Sequence, residues 1–185
     1  MITSTTVMVN HLDKSQSKQI SKLVLLSQSK PISVGLHVEF KDNEDFSLQI
    51  EEQHKKFISF FGFEPSHVDI HKFKSVQESA QFISDFCIKN NLPARNHGFT
   101  EDILTPEVYF NGSLNDLNAI EHFLASMEDG KTYEILFHPG KYDPDSKSSY
   151  NKEREQDVEK IMALEPLLKE HGINLVNFKH LSEGN

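Results

Sequence analysis

Three of the ten histidines in this sequence stand where a fold of alternating strands and helices does its chemistry. His37 closes an apolar run ending Val-Gly-Leu-His, His71 closes the run His-Val-Asp-Ile-His, and His138 follows the apolar run Tyr133 to Phe137. Imidazole binds divalent metals through either ring nitrogen and exchanges protons near neutral pH. Within Ser66 to His71, the residues His67, Asp69 and His71 recur at period two. An extended segment therefore sends an imidazole, a carboxylate and an imidazole to one side. His37 and His71 are read as the protein ligands of one divalent metal. Asp69 fits either as a further ligand or as the carboxylate that receives the second N–H of a ligating imidazole.

Positioning these side chains requires strands whose ends converge. Short apolar runs alternate with longer segments of helical period, the pattern of repeated βα units and a mostly parallel sheet, hence an α/β fold. Strands are expected at Thr3 to Val9, Ser33 to Phe40, Ser66 to His71, Glu107 to Phe110, Tyr133 to Phe137 and Ile173 to Phe178. A very short extended piece is expected around Ala94 and Arg95. Helices are expected at Lys14 to Ser27, Phe46 to Phe61, Ser75 to Asn90, Leu114 to Met127 and Asn151 to His171, the last ended by Gly172. An open doubly wound sheet and a closed barrel both accommodate these strands. In either, functional residues gather at the carboxyl ends, where all three histidines fall.

Composition narrows the partners. With 19 Lys+Arg against 28 Asp+Glu, the formal charge of −9 repels a phosphate backbone and disfavours nucleic acid. No apolar run approaches the ~18 residues of a membrane span, and no basic-then-apolar leader follows Met1, so a cytoplasmic location is expected. The one cysteine, Cys87, cannot support a disulfide framework and reads as a small core residue. A single domain over 1–185 is expected from the length.

In order along the chain, the segments ITSTTVMVN, ISVGLHVEF, FISFFGFEPSHVDIH, PAR and LFHPGKYD resemble the blocks of the YdjC-like carbohydrate deacetylases. The resemblance runs from Met1 to roughly Asp143. It implies a seven-stranded (β/α) barrel-like fold, a divalent metal and hydrolytic removal of acetyl groups from N-acetylated chitooligosaccharides. Magnesium is the metal the family suggests, with zinc or manganese favoured by the nitrogen ligands. The family's GLH histidine falls on His37 and its second histidine ligand on His71. The HPG histidine falls on His138, suited as a general acid toward the leaving amine or to hold the oxyanion, and the arginine of the short strand falls on Arg95, as a substrate-binding residue.

The family also opens on a strand reading NADDFG, which supplies an aspartate ligand and a candidate base. Met1 corresponds to a position after that strand and the helix that follows it. Glu39, Asp69 and Asp143 are the carboxylates near the expected site that could stand in, Glu39 also as a substrate contact. The family's histidines after His71 are here Lys72 and Phe73, and the stretch Lys41 to Asp45 is short, so a more open site is expected. A barrel without its first strand exposes strand edges, which are expected to pair with a second copy and give a homo-oligomer.

Overall fold

Alternation of side chains across a parallel sheet decides what this fold buries and what it leaves for chemistry. The computed structural model describes residues 1–29, 32–42, 44–72, 76–98, 102–146, 148 and 150–183. In chain order the elements are β1 (Ser4–Val7), α1 (Ser17–Ser29), β2 (Ser33–Val38), α2 (Phe46–Phe61), β3 (Val68–Ile70) and α3 (Val76–Asn90). They are followed by β4 (Val108–Asn111), α4 (Leu117–Ala125), β5 (Tyr133–Leu136), α5 (Arg154–Glu170) and α6 (Lys179–Glu183). They form two compact units. One comprises Pro106–Leu175 together with Met1, the other Ile2–Thr105 with Val176–Asn185.

In the larger unit β1, β2 and β3 form a parallel sheet in that order, with Thr6 opposite Gly35 and His37 opposite Asp69. Pro93 to Arg95 continues it: Val68 and Ala94 form a parallel bridge, and the Arg95 N–H donates to the Val68 carbonyl at 3.0 Å. One face carries Val34, Leu36, Val38, Val68, Ile70 and Ala94. It is buried in one core with Ile20 of α1, Ile50, Phe57 and Phe61 of α2, and Ile83, Phe86 and Cys87 of α3. Each such side chain contributes about 1.5–3 kcal/mol on burial, which makes this core the main source of the unit's stability. The other face carries Ser4, Thr6, Ser33, Gly35, His37, His67, Asp69 and Arg95 by the same registers. The polar row lies on a single face because strand residues alternate sides.

In the smaller unit β4 and β5 pair in parallel, Val108 to Asn111 against Tyr133 to Leu136. Ile120 and Leu124 of α4 and Leu164 and Leu168 of α5 make its core. Asp116 caps α4 by accepting from the Ala119 N–H at 2.9 Å.

The α/β class and the parallel pairing agree with the sequence reading. The ladders drawn among the described residues are a three-stranded and a two-stranded sheet, not a closed barrel. Ile173 to Phe178, expected as the last strand, makes no ladder and runs as an irregular segment into α6. Its apolar residues misled the reading, for Leu175 and Val176 are 51% and 45% exposed rather than packed. The first strand stops at Val7, because Val9 to His11 curls into a 3-10 turn. Three helices start later than expected. α1 follows a 3-10 turn capped by Asp13, α4 begins after Asp116 and α5 begins at Arg154. Phe73 and the expected helix start at Ser75 lie outside the described residues, as does the side chain of Val76.

Candidate active site

Asp69 is the centre of the polar face. It is 1% exposed, and burial alone would raise its carboxyl, but the ring nitrogens of His37 and His97 and the charge of Arg95 hold it well below the usual carboxylate range. Oδ2 lies 2.7 Å from His37 Nδ1 and 2.6 Å from Arg95 Nη1. Oδ1 lies 3.2 Å from His97 Nε2 and accepts the Ile70 N–H at 2.8 Å. A carboxylate is an acceptor only, so an imidazole nitrogen this close must carry its proton. The His37 Nδ1–H is not aligned for a straight hydrogen bond, and the contact is an approach of the N–H dipole to the carboxylate charge.

With Nδ1 protonated, the lone pair of His37 is on Nε2. That atom lies 3.2 Å from His71 Nδ1, the two rings meeting edge to face at 77°. His71 reaches this position because its N–H extends the ladder to the Val38 carbonyl at 2.7 Å. Lys72 follows in the left-handed region, with φ of 63°. Burial lowers the His71 pKa, with the nearby His37 and Lys72 adding to the effect, so the neutral imidazole is favoured. Neutral imidazole is the form that binds metals.

Two nitrogens at 3.2 Å suit one ion, since ligands about 2.0–2.1 Å from a tetrahedral or octahedral centre stand roughly 2.9–3.4 Å apart. Carboxylate, imidazole and coordination position in sequence is also the usual support of a metal-bound histidine. Among the described residues no group of three His, Cys, Asp or Glu side chains is arranged for a metal, so the pair is the donor set the structure offers.

His67, one face position from Asp69, has a different part. It is fully buried, stacked on Phe178 with centroids 3.8 Å apart, and its Nδ1 meets the Ser66 hydroxyl at 2.9 Å. Burial pushes its pKa down to about 3 despite the nearby Asp69, so it is a neutral packing residue. Gly35 is required beside it: a Cβ there would stand 2.5 Å from the His67 ring and 2.7 Å from its carbonyl oxygen.

Arg95, expected to touch substrate, is buried against Asp69. Glu39, expected near the ligands, pairs with His11 at 3.0 Å, while its backbone N–H and carbonyl are held by buried Gln53. It still acts on His71, raising its pKa slightly against the dominant burial.

His138 belongs to the smaller unit, just past β5. Its backbone N–H donates to Asp157 Oδ2 at 2.8 Å, its Nδ1 meets Ser113 Oγ at 3.0 Å, and its ring stacks on Tyr150. Asp143, the remaining stand-in carboxylate, is bound to Asn151 through its backbone, at 3.1 and 2.6 Å.

The sequence reading missed His97, Ser113 and Asp157. His97 follows Arg95 at the same period of two that made His67, Asp69 and His71 stand out, and that signal could have found it. Ser113 and Asp157 are 44 residues apart and carry no such signal.

The family model for YdjC-like proteins matches residues 40–170 of the chain. A carbohydrate deacetylase from Clostridium beijerinckii is 26% identical over 219 aligned residues, covering 98% of this chain and 89% of the relative.

Proposed function

The chain belongs to the YdjC-like protein family, and from that premise we propose that it is a metal-dependent hydrolase that removes acetyl groups from N-acetylated oligosaccharides. The observation that carries this reading is the line Asp69, His37, His71, in which a buried carboxylate fixes one imidazole so that its Nε2 stands 3.2 Å from a second imidazole. The name of the Clostridium relative, carbohydrate deacetylase, supports the substrate class.

In this reading His37 Nε2 and His71 Nδ1 would hold the ion, magnesium, zinc or manganese. When bound, it supplies Lewis-acid polarisation of the acetamide carbonyl and a lowered pKa for a ligating water. Asp69 keeps the His37 proton on Nδ1, and Arg95 and His97 keep Asp69 ionised and in place. With the lone pair of His37 on Nε2, the 3.2 Å contact has His71 Nδ1–H donating to it, so His71 would hold an ion through Nδ1 only with its own proton moved to Nε2. By the family resemblance, and not by any placement of one unit against the other, His138 is the residue assigned to give a proton to the nitrogen of the leaving amine, a part that imidazole chemistry suits.

A second reading, a relative that binds a metal or sugar without turnover, is favoured by one observation: the donor set among the described residues has two imidazoles and no oxygen ligand. Acetate release from N-acetylated chitooligosaccharides, with each of the three metals added, separates the two. Acetate release that disappears in His37→Ala and His71→Ala supports the hydrolase. Metal binding without release in the unsubstituted chain supports the second reading.

A further inference from the structure

Asp157 is fully buried at the start of α5 and belongs to no ligand pair. Its Oδ2 accepts the Ser113 hydroxyl at 2.5 Å and the His138 backbone N–H at 2.8 Å. Its Oδ1 is occupied by Lys160 Nζ at 3.3 Å, and the same ammonium reaches the carbonyls of Gly112 and Ser113 at 3.1 and 3.2 Å. Lys160 therefore neutralises the carboxylate and pins the Gly112–Ser113 turn from below. A glycine is needed at 112, because a Cβ there would stand 2.5 Å from the Phe137 ring. That close approach brings the end of β4 beside the end of β5, and so Ser113 beside His138.

The proton positions in this cluster follow from donor chemistry. A carboxylate only accepts, so the Ser113 O–H points to Asp157. The Ser113 oxygen then has only lone pairs for His138, and the 3.0 Å contact requires His138 Nδ1 to carry the proton. Tyr150, stacked on the ring at 4.2 Å and 6°, fixes the plane in which this happens. Ser113 is excluded as a nucleophile by the same reasoning: it is 6% exposed and its proton is committed to Asp157 rather than to an imidazole base.

We propose that Ser113 and Asp157 are positioning residues for the reaction, a carboxylate–hydroxyl–imidazole relay that holds His138 as the Nδ1–H tautomer, so that Nε2 is the nitrogen that takes up and delivers the proton. The hydroxyl lets a carboxylate on α5 set the tautomer of a histidine it does not touch through the ring. This rests on His138 being the proton-transfer residue of the deacetylase reading.

The relay is tested by 15N spectroscopy of histidine-labelled protein, with His138 assigned by loss of its signals in His138→Gln. In the unsubstituted chain at a pH where His138 is neutral, Nδ1 is expected as the protonated nitrogen and Nε2 as the bare one. Ser113→Ala is expected to return His138 toward Nε2–H, the form favoured in water, and Ser113→Thr, which keeps the hydroxyl, to restore Nδ1–H. Asp157→Asn is expected to weaken the preference. An Nε2–H tautomer in the unsubstituted chain overturns the proposal, whatever the variants do, and so does a Nδ1–H tautomer unchanged in a folded Ser113→Ala.

Acetate release then reads the consequence: Ser113→Ala should lower kcat about tenfold or more with KM little changed. A correct tautomer with no acetate released by the unsubstituted protein removes the deacetylase reading and leaves the relay standing. Equal kcat in Ser113→Ala overturns the relay's part in the reaction.

Discussion

His37 and Asp69 sit directly opposite each other on neighbouring parallel strands, and their side chains meet at 2.7 Å on the polar face of the sheet. The register of β2 against β3 is therefore what builds the candidate site. A one-residue slip would send His37 into the apolar core and Leu36 or Val38 into its place.

Replacing Asp69 by Asn should damage the site more than the fold alone would suggest. The amide presents a neutral oxygen to His37 and leaves the buried Arg95 guanidinium without its counter-charge. Loss of a carboxylate behind a metal-binding histidine costs 10–100-fold in affinity, and breaking a buried ion pair costs about 3–5 kcal/mol. Calorimetric metal titration and chemical denaturation of Asp69→Asn measure the two effects. An unchanged affinity would separate Asp69 from the metal site.

Gly35→Ala is expected to destabilise by about 1–3 kcal/mol, because the added methyl overlaps the His67 ring and carbonyl and neither can move far. The Phe178 ring stacked on the opposite side of His67 blocks its retreat. Denaturant midpoints compare the two proteins. A midpoint equal to that of the unsubstituted chain would show that His67 can relocate.

Acid should weaken the fold well before the carboxylates titrate. His67 has an ordinary value of 6.5 and about 3 when folded, because burial disfavours its charged form. Between those values the unfolded chain holds a proton that the folded chain does not, so stability rises with pH and is lost as pH falls below 6.5. The slope approaches about 1.4 kcal/mol per pH unit for one proton. His71, also lowered, acts in the same direction. Asp69, lowered from 3.8, adds its own loss only at more acidic pH. Urea midpoints at pH 7, 6 and 5 should fall in that order, and the fall should shrink in His67→Gln. A flat profile would contradict the burial of a neutral His67.

The parts of this arrangement legible beforehand share one property: they lie within a few residues of each other or at strand ends. His67, Asp69 and His71 are visible as a period of two, and His37 as the last polar position of an apolar strand. The short piece around Ala94 and Arg95 is also visible, and the structure makes it a continuation of the sheet. His97 obeys the same period, in a segment too brief to read as a strand.

Asp157 was not legible, for its meaning depends on α5 meeting the ends of β4 and β5, a contact that local pattern does not encode. Ile173 to Phe178 was overread. Apolar, β-branched composition marks a segment that could pair, while pairing itself depends on a partner strand in register. Phe178 instead spends its ring on His67. Arg95, singled out through the family resemblance as a substrate-binding residue, pairs with the buried Asp69 at 2.6 Å, a contact that no local pattern encodes.

The pairing of His37 with His71 as metal ligands is tested most directly by titrating divalent zinc, manganese and magnesium into the metal-stripped chain and into His37→Ala and His71→Ala. Calorimetry would be paired with elemental analysis of the dialysed protein. One ion per chain, bound tightly by the unsubstituted protein and at least tenfold more weakly by each variant, is the expected result. Equal stoichiometry and affinity in all three proteins would contradict it.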